Sequence, residues 1–169
     1  MAIRPILTAA EPILRARTKR VSRFDASLHR LLDEMLETMR DAPGVGLAAN
    51  QIGVPLRVAV IEVEERVIEI VNPEIVRSSG GHLDWEGCLS LPGYVGEVTR
   101  AESVTVKGRN RHGKEVRIKG TELLARALQH EIDHLNGHLY IDLLDSLDEL
   151  VRVGEAATSE VEEDAPAGV

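Results

Sequence analysis

The chain has 169 residues, 43% of them apolar, which supports one domain with a real core and is too short to expect two. No uninterrupted apolar run approaches the roughly 18 to 20 residues that cross a bilayer, and Met1-Ala2-Ile3-Arg4-Pro5 carries no signal-peptide core, so a cytoplasmic protein with no membrane partner is expected. Of the formal net charge of -8, all resides in residues 142–169, with nine of the 28 acids and one of the 20 bases; residues 1–141 balance at 19 each and give no electrostatic case for DNA binding.

Along residues 25–39 the apolar positions Leu28, Leu31, Leu32, Met35, Leu36 and Met39 recur at helical spacing behind Asp25, a suitable N-cap. A glycine-rich loop follows, Gly44-Val45-Gly46, and then the small-residue segment Leu47-Ala48-Ala49-Asn50-Gln51. The loop fails as a dinucleotide cradle, because it lacks the third glycine and a preceding strand. Glycines there instead let another group approach the backbone closely.

Residues 57–62, 67–71, 97–99, 103–107 and 115–118 are rich in β-branched side chains and predict strands. Asn110-Arg111-His112-Gly113 predicts a hairpin turn between the last two, hence antiparallel pairing. Basic stretches at 15–23 and 107–119 lack interleaved aromatics and read as solvated faces. A second amphipathic helix is predicted behind Thr121, with Leu124, Ala127, Leu128, Ile132 and Leu135 as its apolar stripe and Asn136-Gly137 as its stop. Helices at either end with strands between them make the class α+β. Beyond a catalytic domain of residues 1–145, a short helix is expected over 146–153, with a mobile acidic end from Ala156.

That second helix carries the most specific chemical signal in the chain. His130-Glu131-Ile132-Asp133-His134 is an H-E-x-x-H pattern, and residues four apart on a helix lie about 40° apart around the axis and about 6 Å along it. Both imidazoles can therefore reach one metal ion, with Glu131 beside the first as a general base. Cys88 is the only cysteine, so it has no intramolecular disulfide partner and its thiol is available as a ligand or nucleophile, although burial alone would also account for it.

Three segments, Gly44-Val45-Gly46-Leu47-Ala48-Ala49-Asn50-Gln51, Glu86-Gly87-Cys88-Leu89-Ser90-Leu91-Pro92 and Gln129-His130-Glu131-Ile132-Asp133-His134-Leu135-Asn136-Gly137, occur in this order. Together they resemble the signature motifs of the peptide deformylases, and the similarity runs over residues 3–144. The resemblance implies a monomeric α+β fold with antiparallel sheets around the C-terminal helix. It also implies removal of the N-formyl group from the initiator methionine of nascent peptides in the bacterial cytoplasm. It places one divalent metal on Cys88, His130 and His134, with Fe2+ expected in the cell and Zn2+, Ni2+ or Co2+ in purified protein, although the ligands alone would suggest zinc. Glu131 becomes the base, and the Gln51 amide and Leu89 backbone N–H become donors to the formyl oxygen.

For Gln51 the bland alternative is capping of a neighbouring backbone group. Glu86 is expected either to fix a ligand imidazole or to pair with Arg100, and Asp133 is a second candidate for holding an imidazole. An apolar slot for the substrate methionine is expected from Val45, Leu89, Ala127 and Leu128, with the stem of Arg126 at its rim and Gly46 beside it as a further substrate-binding residue. Main-chain bonds from residues 44–46 and 91–94 would hold the peptide. Some family members dock on the ribosome through a basic C-terminal extension, whereas this tail is acidic. Transient ribosome contact would therefore fall to the body or the 107–119 hairpin, unless substrate is met by diffusion. The rivals are a metallopeptidase using the same helix, disfavoured by the cysteine ligand, and a non-catalytic metal- or formyl-peptide-binding module.

Overall fold

The computed structural model describes residues 2–153. Asp25 starts helix α1 (Ala26–Asp41) by accepting from the backbone N–H groups of Ser27 and Leu28, which satisfies donors that the first turn leaves free. Of the predicted stripe, Leu28, Leu31, Leu32, Met35 and Met39 are buried and Leu36 is half-buried, all against one face of the sheet that follows. The short strand β1 (Gly46–Ala48) is absent from the predicted elements, because three residues, all buried, give no alternation to read.

The chain then builds β2 (Val58–Val63), β3 (Arg66–Ser79), β4 (His82–Cys88), β5 (Leu91–Arg100), β6 (Ser103–Arg109) and β7 (Glu115–Thr121). All pairings between these strands are antiparallel. One sheet has the order β1-β2-β3-β6-β7, and the other joins β4 and β5 to β8 (Val151–Arg152). The 110–113 turn closes β6 onto β7, with Arg109 opposite Glu115 and the Gly113 N–H donating to the Asn110 carbonyl. The fold is α+β, as the element pattern indicated.

Helix α2 (Glu122–Leu135) lays Ala127, Leu128, Ile132 and Leu135 on the five-stranded sheet, in a core with Ile61, Ile70, Val106 and Ile118. It stops at Gly137, whose φ of +83° is the left-handed conformation a helix end favours; the His138 N–H then donates back to the Asp133 carbonyl. A side chain at Gly137 would also strike the Arg15 backbone carbonyl. Thr121 precedes the helix as expected but makes no side-chain cap bond.

The predicted helix over 146–153 is instead a 3-10 turn, Leu147–Glu149, followed by β8, which pairs with Tyr94 and Val95. Pairing with β5 and burial of Leu144 and Leu150 beside Cys88, Val98 and Tyr140 outweigh the local helical pattern. The segment from Ala156 expected to be mobile lies outside the described residues.

Candidate metal centre

The buried half of α2 presents His130, Glu131 and His134, each about 1% exposed. The two imidazole Nε2 atoms are 3.1 Å apart, and the Cys88 sulfur lies 3.2 Å from His134 Nε2. Cys88 reaches them because the register between β4 and β5 breaks after Gly87, and a bulge of this kind re-aims the next side chain. One donor atom from each of Cys88, His130 and His134 lies within 4.8 Å of the other two. Tetrahedral binding at about 2.0–2.1 Å for nitrogen and about 2.3 Å for sulfur needs donors roughly 3.3 to 3.6 Å apart, so the set fits a single cation with little adjustment.

Glu86 settles which His130 nitrogen faces that point. Its Oε2 lies 2.6 Å from His130 Nδ1, leaving Nε2 directed at Cys88 and His134. The same carboxylate takes two bonds from Arg100, at 3.0 and 2.6 Å, so the two expected roles of Glu86 are held at once. Although burial opposes its charge, these cationic neighbours hold the Glu86 carboxyl far below the usual range. Burial likewise opposes charge on His130, but the Glu86 and Cys88 anions outweigh it and raise this imidazole well above its ordinary value; burial pushes His134 well below. Asp133 reaches neither imidazole. It points outward to Arg100, at 2.6 Å, while His134 Nδ1 has no partner among the described residues.

Glu131 is the other unusual group. Both carboxylate oxygens are buried without a hydrogen-bond partner among the described residues, and burial pushes the carboxyl up to about 7. The nearby backbone is Gly46, where a Cβ would come within 2.9 Å of Glu131 Cδ; this close approach explains the glycine. Gln51 caps neighbouring backbone, its Oε1 accepting from the Ala48 N–H at 2.9 Å, while its Nε2 lies 3.8 Å from Cys88 Sγ and 3.0 Å from Ser90 Oγ. Ser90, not among the predicted site residues, also donates its backbone N–H to the sulfur at 3.4 Å.

A groove of about 340 Å³ leads to Cys88, lined by Pro43, Leu89, Leu91 and Tyr94 among others. Gly46 lies on β1, which pairs only with β2 among the described residues and so offers an open edge for an extended peptide. Residues 91–94 are less open than expected, because β8 pairs with Tyr94 and the Val153 N–H donates to the Gly93 carbonyl. Val45 is half-buried against the core cluster and Ala127 lies within it, one turn before Glu131. Leu128 is buried in the same cluster, against Gly120 of β7. Arg126 is not at a rim: it is 4% exposed and its guanidinium bonds Glu86. No sequence signal for that contact exists, since only the fold brings residues 86 and 126 together.

The family model for polypeptide deformylases matches residues 3–150. A peptide deformylase of Alkaliphilus metalliredigens is 58% identical over 142 residues, which is 84% of this chain and 97% of that protein. Among solved structures, the peptide deformylase of Legionella pneumophila superposes with a TM-score of 0.85 at 52% identity, covering 88% of this chain and 89% of that one. That of Thermotoga maritima gives 0.84 at 37% identity, covering 86% of this chain and all of the other. With the family model spanning nearly the whole described chain and the Cys88, His130 and His134 donors converging as above, this chain belongs to the polypeptide deformylase family.

Proposed function

We propose that the chain hydrolyses the N-formyl group from the initiator methionine of newly made proteins, releasing formate and a free amino terminus. The observation that carries this reading is the convergence of Cys88, His130 and His134 beside the unpartnered Glu131 carboxylate. A divalent cation on those three donors supplies Lewis acidity, which polarises a carbonyl oxygen and brings water towards ionisation at neutral pH. Glu131, displaced towards neutrality by its burial, takes the proton from the attacking water. As the water oxygen bonds to the formyl carbon, negative charge develops on the formyl oxygen, where the Gln51 amide and the Leu89 backbone N–H donate. The C–N bond then breaks, and Glu131 returns its proton to the leaving amine. Val45, Gly46 and Ala127, grouped near Glu131, receive the methionine side chain, and the open edge of β1 holds the peptide behind it.

The cation in the cell is Fe2+, in a site whose thiolate and metal are both oxidisable, so zinc or nickel survives purification better. Formate release from a formyl-Met tripeptide, measured anaerobically, is expected to be faster for iron- than for zinc-loaded protein. Gln51→Ala is expected to cut the iron rate by about a hundred- to a thousand-fold. Metal uptake without formate release would leave a binding module, and cleavage of unformylated peptides would favour a peptidase.

The enzyme meets its substrate in the cytoplasm, at the ribosome. No helix among the described residues is long and apolar enough to cross a membrane, and the buried Cys88 needs no oxidising compartment. Support for a ribosome contact comes from a groove of about 640 Å³ on the five-stranded sheet, lined by Arg66, Arg77, Arg117 and Lys119 with no carboxylate among its described lining residues. Cations from two strands of a sheet, β3 and β7, suit the phosphate backbone of RNA. The double change Arg77→Glu, Arg117→Glu is expected to abolish co-sedimentation with ribosomes while leaving turnover of a free tripeptide unchanged; undiminished pelleting would move the contact to another face, and a wild type that does not pellet would leave diffusion as the route.

A further inference from the structure

Helix α2 is joined to the two sheets by different physics. Against the five-stranded sheet it buries apolar surface, with Ala125, Leu128, Ile132 and Leu135 inside the main core. The three-stranded sheet has a small apolar cluster of its own around Cys88, Val98 and Tyr140, to which α2 contributes no apolar side chain, only the His130 ring stacked on Tyr140 with centroids 6.3 Å apart. The metal donors are divided across this second junction, since Cys88 is on the sheet and both imidazoles are on the helix. Non-directional apolar packing therefore does not set the distance between sulfur and nitrogen.

A buried ionic cluster spans the junction instead. From α2, Arg126 Nη1 donates to Glu86 Oε1 at 3.0 Å and to the Val98 carbonyl at 2.9 Å, while its Nη2 donates to the His82 carbonyl at 2.8 Å. One guanidinium thus touches β4 twice and β5 once. From the other side Arg100 of β5 grips Glu86 and reaches Asp133 of α2. Glu86 and Asp133 bring two negative charges and Arg100 and Arg126 two positive ones, so the cluster is neutral. Without Arg126 it would keep an excess negative charge, one Glu86 oxygen would lose a donor, and two carbonyls would lose theirs. Such losses are costly away from water.

We propose that Arg126 is a positioning residue that fastens the Cys88-bearing sheet to the His-bearing helix and thereby sets the span of the donor set. The proposal rests on the metal-centre reading above. It acts through Glu86, which orients His130, and through the backbone of the strands on either side of Cys88. Partners of this kind typically change metal affinity by about ten- to a hundred-fold when removed. Lysine, a single point of charge, cannot reproduce the planar fork that meets three acceptors in different directions.

The test titrates purified full-length protein with Co2+, following the thiolate-to-cobalt absorption band. Arg126→Met is expected to weaken Co2+ binding about ten- to a hundred-fold and to alter the band, with Arg126→Lys intermediate. Arg111→Met, which breaks a half-exposed pairing with Glu69 and Asp33 outside the site, is expected to bind as wild type and so separates a general loss of stability from the specific effect. A cooperatively folding Arg126→Met protein with wild-type affinity and band overturns the proposal. If that variant does not fold, wild-type affinity and band in Arg126→Lys overturn it equally. Failure of the wild-type protein to give a thiolate band would sink the metal-centre reading itself.

Discussion

Replacing Glu131 by glutamine is expected to lower formate release by about a hundred- to ten-thousand-fold while leaving metal content at one ion per chain. The size of the loss follows from the role. An amide cannot accept the proton of the attacking water, nor hand one to the leaving amine, so both halves of the reaction suffer. Retention of metal follows from the geometry, because Glu131 is absent from the convergent donor set. The substitution should also be gentle to the fold. Both carboxylate oxygens are buried without donors among the described residues, so the amide gives up no bond seen there, and it removes a group that burial already disfavours in its charged form. Formate assays beside metal analysis of the same preparation check both parts. A variant that loses metal and activity together would make Glu131 a ligand; one that keeps full activity would move the proton transfer elsewhere.

How much of this centre was legible beforehand depended on whether its determinants were local. Helix α1 and the helix carrying His130 and His134 were readable because capping, periodicity and stop signals all lie within a few residues of each other. Strand β4 was not. Its exposed positions include Leu83, 57% accessible, while Glu86 and Cys88 are its buried side chains, the reverse of the apolar-in alternation that marks a strand. The inversion arises because β4 faces a polar centre rather than a core, so the element most important for the sulfur donor carried the weakest sequence signal. Arg126 differs from its expected rim position for a related reason: periodicity places it on α2, but its meeting with the buried carboxylate depends on a tertiary contact with Glu86. The twofold role of Glu86 was likewise open, since a buried carboxylate has two oxygens and sequence does not show that His130 and two arginines share them.

Cys88→Ser is expected to carry the largest effect of any single change, loss of both bound metal and formate release under conditions that fully load the wild type. Of the three donors only the thiolate brings a formal negative charge; two neutral imidazoles do not, and a serine hydroxyl does not ionise near neutral pH. The remaining pair would hold a divalent cation through nitrogen alone in a pocket only about 5% exposed at Cys88, where an uncompensated charge is poorly tolerated. The protein itself should fold, because serine nearly matches cysteine in shape and its oxygen can take the bonds that the Gln51 amide and the Ser90 N–H now give to sulfur. The wild-type protein has a matching pH signature. Protons compete with the cation for the thiolate and for both imidazoles, so metal affinity should fall as pH falls, and more steeply than a single ligand would dictate. Competition titrations across a pH series, run on wild type and Cys88→Ser together, check both statements. A serine variant that keeps its ion and its turnover would remove sulfur from the ligand set and leave the two histidines to be completed by some other group.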